Sequence, residues 1–315
     1  MARTVLVTGG AGFIGSSIAR ALLQRGDRVR ILDDFSSGRR ENLENAGKLG
    51  DQLEILEGSI LDENALRRAA TGTEVIFHQA AMPSVPRSLQ APLPSHDANA
   101  TGTLRVLEAA RALSVGRVVY AGSSSAYGDT PVLPKVETMG PVPLSPYAVS
   151  KLTGELYCQM YARTFGLAAV VLRYFNVFGP RQDPNSQYAA VIPRFVTAAL
   201  TGARPVIFGD GAQSRDFCFI DNVVDANLRA AEVPASQVAG QVFNIACGAA
   251  TDLNTVVRLI GELTGKPLVA RHEPARRGDV KHSLADISAA RQRLGYEPRV
   301  QFAEGLARTV AAFRM

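Results

Sequence analysis

Short apolar segments alternate with amphipathic ones along the first half of the chain. Thr4–Thr8 is a β-rich apolar run, and a glycine-rich turn follows it. The next segment places Ile18, Leu22 and Leu23 on one helical face, and Arg28–Asp33 is again typical of a strand. This order of strand, glycine turn, helix and strand predicts a βαβ unit.

The alternation continues as far as residue 173. Further strands are predicted at Leu53–Leu56, Glu74–His78, Arg117–Ala121 and Ala168–Arg173. Further helices are predicted at Glu63–Ala70, about Asn99–Ala112 and Pro146–Phe165. Six strands that alternate with helices predict an α/β fold built on a doubly wound parallel sheet.

The pattern changes beyond this point. Residues 176–184 are rich in turn formers, and helices then mix with short strands. The predicted elements are helices Val191–Leu200, Asn222–Ala231 and Leu253–Leu263, with strands Pro205–Phe208 and Gln241–Ile245. We therefore predict a sheet domain at 1–175 and a smaller, mixed α/β substrate lobe at 176–315, with segments near 218–246 packing on the first domain.

The glycine turn has the features of a dinucleotide-binding site. Gly9 makes the tight turn, Gly12 lets the backbone approach a pyrophosphate, and Gly15 lets helix and strand pack closely. The helix that begins here offers free N–H groups and a partial positive charge to phosphate. With a strand before and a helix after the motif, dinucleotide binding is expected.

Asp33 indicates which dinucleotide binds. It ends the second strand, where a carboxylate can accept hydrogen bonds from the adenosine ribose. The same carboxylate would repel a 2′-phosphate, so NAD is favoured over NADP. Arg39 and Arg40 lie near enough to keep NADP an alternative.

Tyr147 and Lys151 lie four residues apart on a predicted helix and therefore on one face. A free tyrosine has a pKa of about 10, so making it a base near pH 7 requires roughly 4 kcal/mol. A cation about 4 Å away supplies an energy of that order. We expect Lys151 to lower the pKa of Tyr147 and the pair to be catalytic.

Four polar segments fall at the carboxyl ends of predicted strands: Asp33, Gln79–Ala81, Ser123 and Asn176. In doubly wound sheets ligands bind beyond these ends. The four segments should therefore converge on one crevice with Tyr147.

Composition narrows the class of protein. The 315 residues are 46% hydrophobic and 20% charged, as in ordinary soluble enzymes. The net charge of +5 is scattered, so no nucleic-acid surface is expected, and the three cysteines and four histidines have no metal-ligand spacing. No apolar run is long enough to span a membrane and the N-terminus opens into a strand, so we expect a cytoplasmic protein without a metal.

Several of these motifs occur together, in order, in one known family. They are Thr8–Gly15, Asp33, His78–Ala81, Ser123, Tyr147 with Lys151, and Arg173–Asn176. Together they resemble the extended short-chain dehydrogenase/reductases, specifically the NAD-dependent sugar-nucleotide epimerase/dehydratases. The resemblance covers essentially the whole chain and is greatest to bacterial UDP-hexose 4-epimerases that handle N-acetylated sugars. It implies a Rossmann fold, tightly held NAD, and reversible epimerisation through a 4-keto sugar.

The resemblance also implies a role for each matching residue. Tyr147 would remove the proton of the sugar 4-hydroxyl, Lys151 would hold the nicotinamide ribose, and Ser123 would hydrogen-bond the reacting oxygen. The implied cofactor-binding residues are Gly9, Gly12, Phe13, Ile14, Gly15, Asp33, Ser36, Gly38, Ser59, Ile60, Gln79, Ala80, Ala81, Asn99, Tyr147, Lys151 and Tyr174. The implied substrate-binding residues are Ser84, Arg87, Ser123, Ser125, Tyr147, Asn176, Ala190, Val191, Phe208, Arg215, Arg276, Asp279 and Ser283.

Departures within the family bear on the reaction. Related 4,6-dehydratases carry Asp and Glu where this chain has Ser124 and Ser125, and UDP-glucuronate decarboxylases usually carry Glu at the second position. Epimerisation is therefore expected. Ser59 stands where the family usually has an aspartate that contacts adenine, so NAD binding is expected to persist in weaker form.

Two small residues bear on the substrate. Ser283 replaces a tyrosine and Ala190 an asparagine of the epimerases restricted to UDP-glucose and UDP-galactose, which predicts room for an acetamido group. The alternatives are a UDP-glucuronate 4-epimerase and, from another class, a non-catalytic NAD-sensing protein. The family commonly forms homodimers through a four-helix bundle, for which the helices about Asn99–Ala112 and Pro146–Phe165 are the candidates.

Overall fold

The computed structural model describes residues 2–44, 52–184, 190–275 and 280–314. Its strands are β1 (Thr4–Thr8), β2 (Arg28–Asp33), β3 (Leu53–Glu57), β4 (Val75–His78), β5 (Arg117–Ser123), β6 (Ala169–Tyr174), β7 (Val177–Phe178), β8 (Val206–Phe208), β9 (Ser214–Asp216), β10 (Cys218–Phe219), β11 (Val242–Ile245), β12 (Ala250–Asp252) and β13 (Arg271–Glu273). Its α-helices are α1 (Phe13–Gln24), α2 (Glu41–Glu44), α3 (Glu63–Ala70), α4 (Val85–Gln90), α5 (Pro92–His96), α6 (Gly102–Ala112), α7 (Pro146–Phe165), α8 (Val191–Thr201), α9 (Ile220–Glu232), α10 (Ala235–Val238), α11 (Leu253–Thr264), α12 (Ser288–Leu294) and α13 (Phe302–Arg314).

Seven parallel strands form the central sheet in the order β11-β6-β5-β4-β1-β2-β3. The strand order reverses between β1 and β4, which opens a crevice beyond the carboxyl ends of these strands. This confirms the predicted doubly wound, Rossmann-type fold. The seventh strand, β11, comes from the C-terminal half of the chain and pairs with β6. The boundary between the two predicted domains stays a prediction.

The sheet is buried on both faces because its strands alternate between two apolar layers. In β1, Val5 and Val7 pack into one hydrophobic cluster together with α1 and α9. Leu6, between them, packs into a second cluster with α3, α6 and α7. All three side chains are fully buried, as expected for a parallel sheet covered by helices on both sides.

Helix α7 is defined at both ends by its sequence. The Ser145 hydroxyl accepts a hydrogen bond from the backbone N–H of Ala148, and Pro146 occupies the first turn. The helix ends at Gly166, which has the left-handed conformation that glycine adopts without strain. The prediction of a helix over Pro146–Phe165 therefore matches its observed bounds.

Two features bind α7 closely to the sheet. A side chain at Gly154 would place its Cβ 2.4 Å from the hydroxyl of Tyr120, so only glycine allows this approach. Glu155 and Arg173 form a buried ion pair between α7 and β6, with Nε–Oε2 and Nη2–Oε1 distances of 2.8 and 2.5 Å.

The C-terminal half adds small sheets and helices beside the crevice. β7 pairs with β10, β8 with β13, and β9 with β12. The rings of Phe178 in β7 and Phe219 in β10 pack against those of Phe217 and Phe302.

Two helices differ from the sequence predictions. Helix α13 was not predicted, and the helix predicted about Asn99–Ala112 is a π-helical turn at Asp97–Thr101 followed by α6. Within the described ranges no helix has the length and apolarity needed to cross a bilayer.

Candidate active site

A cleft with a volume of about 910 Å³ lies beyond the carboxyl ends of β1, β2 and β4. Most of the residues predicted to bind the cofactor line it: Gly9, Gly12, Phe13, Ile14, Gly15, Asp33, Ser36, Gly38, Ser59, Ile60, Gln79, Ala80, Ala81, Tyr147, Lys151 and Tyr174. Asn99 is buried behind the cleft wall, where its side chain bonds the backbone of Met82 and the hydroxyl of Ser150. Asn99 therefore supports the wall of the cleft.

The glycine turn is shaped for a close ligand. Gly9 has a φ of 68°, and a Cβ there would lie 2.6 Å from the backbone nitrogen of Ala80. A Cβ on Gly15 would lie 2.1 Å from the carbonyl oxygen of Gly9. No side chain caps helix α1, which begins after Gly12. Its first N–H groups can therefore donate to a ligand in the cleft. This backbone cradle fits the diphosphate of a dinucleotide.

Asp33 lies at the edge of the cleft and is held in place by backbone donors. Its carboxylate accepts hydrogen bonds from the N–H groups of Ala11 at 2.8 Å and Phe35 at 2.9 Å. Burial raises the pKa of Asp33, and these two bonds act against that rise. A carboxylate at this edge fits the ribose hydroxyls of NAD. Ser59 also faces the cleft, and its hydroxyl accepts the N–H of Leu61 at 3.2 Å.

Tyr147 and the serine run meet at the inner end of the cleft. The hydroxyls of Ser123 and Ser125 lie 2.8 Å apart, and the N–H of Ser125 donates to Ser123 at 3.2 Å. Burial raises the pKa of the Tyr147 phenol, while a hydrogen bond with Ser123 lowers it. The structure therefore brings together the phenol and the hydroxyl that the sequence predicted to act on one oxygen.

Lys151 is almost fully buried beneath the cleft. Its ammonium nitrogen lies 4.5 Å from the centre of the Tyr120 ring, and burial lowers the pKa of Lys151 to about 7. Burial raises the pKa of the phenol and disfavours the charged ammonium, so the lowering of the tyrosine pKa expected from Lys151, aided by the positive nicotinamide, stays a prediction.

His78 lies behind Lys151 and is neutral. Its ring nitrogens contact the hydroxyls of Thr8 at 2.7 Å and Thr103 at 2.9 Å. Burial, together with the charge of Lys151, lowers the pKa of His78 to about 3. Both ring nitrogens have partners, so His78 serves as a rigid support rather than as an acid or base.

A second cavity of about 280 Å³ adjoins the cleft, and Val177 and Ala190 line both. It contains five of the predicted substrate-binding residues: Asn176, Ala190, Val191, Phe208 and Arg215. Arg87 lines the larger cleft, and Ser84 caps the helix that carries it by accepting the N–H of Arg87. The predicted substrate residues Arg276 and Asp279 lie outside the described residues.

Sequence patterns did not reveal Asp216, the last residue of β9, which joins this strand to two distant loops. This fully buried carboxylate accepts N–H groups from Cys247, Gly248 and Ala285 at 2.8 to 3.2 Å. Burial raises the pKa of Asp216 to about 6, and these donors act against that rise. It follows Arg215 directly, but its partners come from loops distant in sequence, so no local pattern could reveal its role.

Ser283 lies beside β9, the strand that contains Arg215. Its backbone N–H donates to the carbonyl of Ser214 at 3.1 Å, next to Arg215. Asn176 contacts this strand as well, since its side chain donates to the carbonyl of Asp216 at 3.1 Å. Asn176, Arg215 and Ser283 are therefore brought together around β9.

Comparison with protein families agrees with this geometry. Residues 5–246 match the model of the NAD dependent epimerase/dehydratase family. The chain belongs to this family. Its NAD cofactor and its enzyme class, predicted from the motifs, are thereby confirmed.

Three relatives illustrate the range of sugars handled by similar proteins. The chain is 43% identical to a UDP-glucose 4-epimerase of Mycolicibacterium smegmatis over 98% of each chain. It is similar to the UDP-N-acetylglucosamine 4-epimerase of Methanobrevibacter ruminantium in complex with UDP-N-acetylmuramic acid, with a TM-score of 0.94, 39% identity and coverage of 99% and 98%. It is also similar to the UDP-glucuronic acid 4-epimerase of Bacillus cereus in complex with UDP-glucuronic acid and NAD, with a TM-score of 0.92, 31% identity and 99% coverage of both.

We expect Lys151→Met to stabilise the cofactor-free protein. The pKa of Lys151 is about 7 in the folded protein, against an ordinary value of 10.5. Below pH 7 the buried side chain is charged, and the full cost of burying that charge lowers the free energy of unfolding. As the pH rises from 7 towards 10.5, only the folded state loses this proton, and the cost declines. Melting temperatures at pH 6 and pH 9 should show a gain for the variant that is larger at pH 6.

The exposed Lys266 supplies the control, because Lys266→Met should change stability little and equally at both pH values. A Lys151→Met protein that melts below the wild type at pH 6, or whose gain does not shrink at pH 9, would contradict the assignment of a buried, penalised charge.

Proposed function

We propose that the protein is a UDP-hexose 4-epimerase that accepts UDP-N-acetylglucosamine and UDP-N-acetylgalactosamine, and also UDP-glucose and UDP-galactose. One observation carries this proposal. The Tyr147 phenol, whose pKa the nearby Ser123 hydroxyl lowers against the effect of burial, lies in the dinucleotide cleft, and that cleft adjoins the cavity lined by Asn176 and Arg215. A proton acceptor, a dinucleotide cradle and a diphosphate clamp thus meet at one place.

Each side chain has a defined task in this reaction. Tyr147 takes the proton from the sugar 4-hydroxyl and returns it to the same oxygen after the 4-keto sugar has turned over, while Ser123, held by Ser125, hydrogen-bonds this oxygen. Bound NAD supplies a reversible hydride acceptor for the carbon that bears this oxygen. Arg215 and Asn176 hold the diphosphate, so the hexose can turn while the nucleotide stays in place.

The serine run supports epimerisation over elimination. Ser124 and Ser125 form a short 3-10 turn after β5, and the hydroxyl of Ser125 bonds Ser123. A dehydratase needs carboxylic acid and carboxylate groups at these two positions to remove water from the sugar. Neither position of this chain supplies one.

The preference for an N-acetylated sugar rests on two small residues. Ala190 lines both cavities, and Ser283 is held against Ser214 beside the predicted clamp. The Ser283 side chain is smaller than the tyrosine it replaces, and the Ala190 side chain is smaller than the asparagine it replaces, so both leave space for an acetamido group. A glucuronate would need a cation beside the serine run, but Arg181 donates to Ser17 on α1 at 2.8 Å and is thus directed to the cofactor side.

The substrate is tested by incubating the purified protein separately with UDP-N-acetylglucosamine, UDP-glucose and UDP-glucuronate. We expect chromatography to show the 4-epimers of the first two. Conversion of UDP-glucuronate alone would keep the mechanism and replace the substrate. No conversion of any sugar in the presence of added NAD would refute the proposed activity.

Tyr147→Phe should abolish epimerisation while leaving NAD bound. Loss of a positioned base lowers rates by about a hundredfold or more, whereas the cofactor contacts of the cleft remain. Activity and the NAD content of the purified protein are the measurements, with Tyr157→Phe on the same helix as control. Turnover of the Tyr147→Phe protein at the wild-type rate would contradict the role of Tyr147 as the proton acceptor.

Ser283→Tyr should narrow the pocket selectively. Overpacking by a bulky side chain typically costs 1–3 kcal/mol, or roughly a tenfold to hundredfold loss of kcat/KM for the N-acetylated substrate. UDP-glucose, which lacks the acetamido group, should be converted nearly as before, and Ser283→Ala should behave as the wild type. Equal losses on both substrates would argue against the proposed gate.

We further propose that the protein is a cytoplasmic homodimer. Helices α4 and α5 pack beside α7, and together they expose several large apolar side chains: Val85, Leu89, Leu93, Val149, Leu156, Met160 and Phe165. Such a patch is typical of an interface. The exposed apolar residues of α7 are consistent with the predicted bundle, and α4 and α5 add others. The pairing of α7 with the helix about Asn99–Ala112 stays a prediction.

Leu156→Glu should therefore yield a monomer, because it places a charge in the middle of this apolar face. Sedimentation velocity measures the mass, and Val269→Glu, which alters an exposed apolar residue elsewhere, should remain dimeric. A wild-type protein that sediments as a monomer, or a Leu156→Glu protein that stays dimeric, would rule out this interface.

A further inference from the structure

The turn at 179–184, which follows β7, covers one side of the dinucleotide cleft. Arg181, Gln182 and Asp183 all line the cleft. Arg181 has a φ of 67°, a left-handed backbone conformation that is uncommon for a residue other than glycine. Such strain persists only where surrounding contacts hold it, and it occurs preferentially at functional sites.

Two side-chain contacts join this turn to the dinucleotide-binding elements. The guanidinium of Arg181 donates to the hydroxyl of Ser17 in α1 at 2.8 Å. Asp183 forms an ion pair with Arg39 of the loop after β2 at 3.7 Å. Helix α1 begins at the diphosphate cradle, and the loop after β2 begins at the ribose carboxylate Asp33. The 179–184 turn is thus fastened on both sides of the site.

The charge of Arg181 is incompletely compensated among the described residues. Its buried Nε has no hydrogen-bond partner there, and neither does the Nε of Arg20 nearby on α1. Burial and the positive charge of Arg20 lower the pKa of Arg181, and Asp221 acts in the opposite direction. Buried donors without partners and two neighbouring cations together favour an anion at this place.

The negative charge that enters this cleft is the diphosphate of the dinucleotide. Its charge stabilises Arg181 electrostatically, and Arg181 in turn holds the turn across the cleft through Ser17. We infer that the 179–184 turn retains the bound dinucleotide, with Arg181 as the residue that fastens it. This role concerns the cofactor and not the choice of sugar. A cofactor that serves many turnovers has to dissociate slowly.

The test measures dinucleotide release directly. The protein is loaded with NADH, mixed with excess NAD, and followed by the loss of bound NADH fluorescence. Arg181→Gln should release NADH about tenfold faster or more, the effect of losing one charged hydrogen bond. Ser17→Ala should also speed release, by a smaller factor, because it removes the anchor and keeps the charge.

Two controls separate retention from general loosening. Arg258→Gln removes an exposed arginine that pairs with Glu262 on α11 and should release NADH at the wild-type rate. Asp183→Asn should change release less than Arg181→Gln, since its partner is more than half exposed and such ion pairs contribute little. Melting temperatures of the variants show whether each is folded.

The inference is overturned if a folded Arg181→Gln protein releases NADH at the wild-type rate. It is also overturned if that variant changes only the KM for a UDP-sugar, because the turn would then serve the substrate. If Arg181→Gln does not fold, Ser17→Ala decides, and an unchanged rate there counts against the inference. The assay needs no sugar turnover, so its result stands apart from the proposed activity.

Discussion

The buried ion pair between Glu155 and Arg173 fixes the geometry on which the site depends. Both side chains are only 4% exposed, and two hydrogen bonds join them. Removing one partner of such a pair typically costs about 3–5 kcal/mol, since the other charge is left buried. Glu155 belongs to the helix of Tyr147, and Arg173 to the strand that leads to Asn176. The pair therefore sets the distance between Tyr147, the proposed proton acceptor, and Asn176 of the proposed diphosphate clamp.

Arg173 also contacts the turn that contains the serine run. The guanidinium of Arg173 lies 4.6 Å from the centre of the Tyr127 ring, and the Tyr127 hydroxyl donates to Asn244 at 2.7 Å. Asn244 in turn donates to the carbonyls of Lys135 and Asp286. One buried polar network thus links the turn of Ser123 to the loop of Ser283.

The features that sequence predicted are those that local backbone chemistry determines. Gly9 and Gly15 are required by a turn with no space for a Cβ, and Asp33 by a strand end beside it, so these residues together with the strand and helix around them predict the dinucleotide cleft. Pro146 and the apolar periodicity that follows it predict the bounds of α7, which the cap residues Ser145 and Gly166 fix in the structure. Its register with Tyr147 and Lys151 follows from helical periodicity.

The features that sequence missed arise from contacts between distant segments. Asp216 is surrounded by donors from residues 247, 248 and 285, and Arg181 reaches back to α1. Burial is equally a property of the whole fold, so the expected lowering of the tyrosine pKa could not be judged from a spacing of four residues. The apolar face on α4 and α5 also escaped notice, since each helix is too short for a periodic signal.

Burial determines the charge states of Tyr147 and Lys151. It raises the pKa of Tyr147 and lowers that of Lys151 to about 7, so the phenol stays neutral and the ammonium is close to losing its proton. A phenolate becomes favourable only when further positive charge or hydrogen bonding reaches it. The oxidised nicotinamide of NAD carries such a charge. The proposed role of Tyr147 as a base therefore requires a bound dinucleotide, which links the proposed retention of the cofactor to the proposed chemistry.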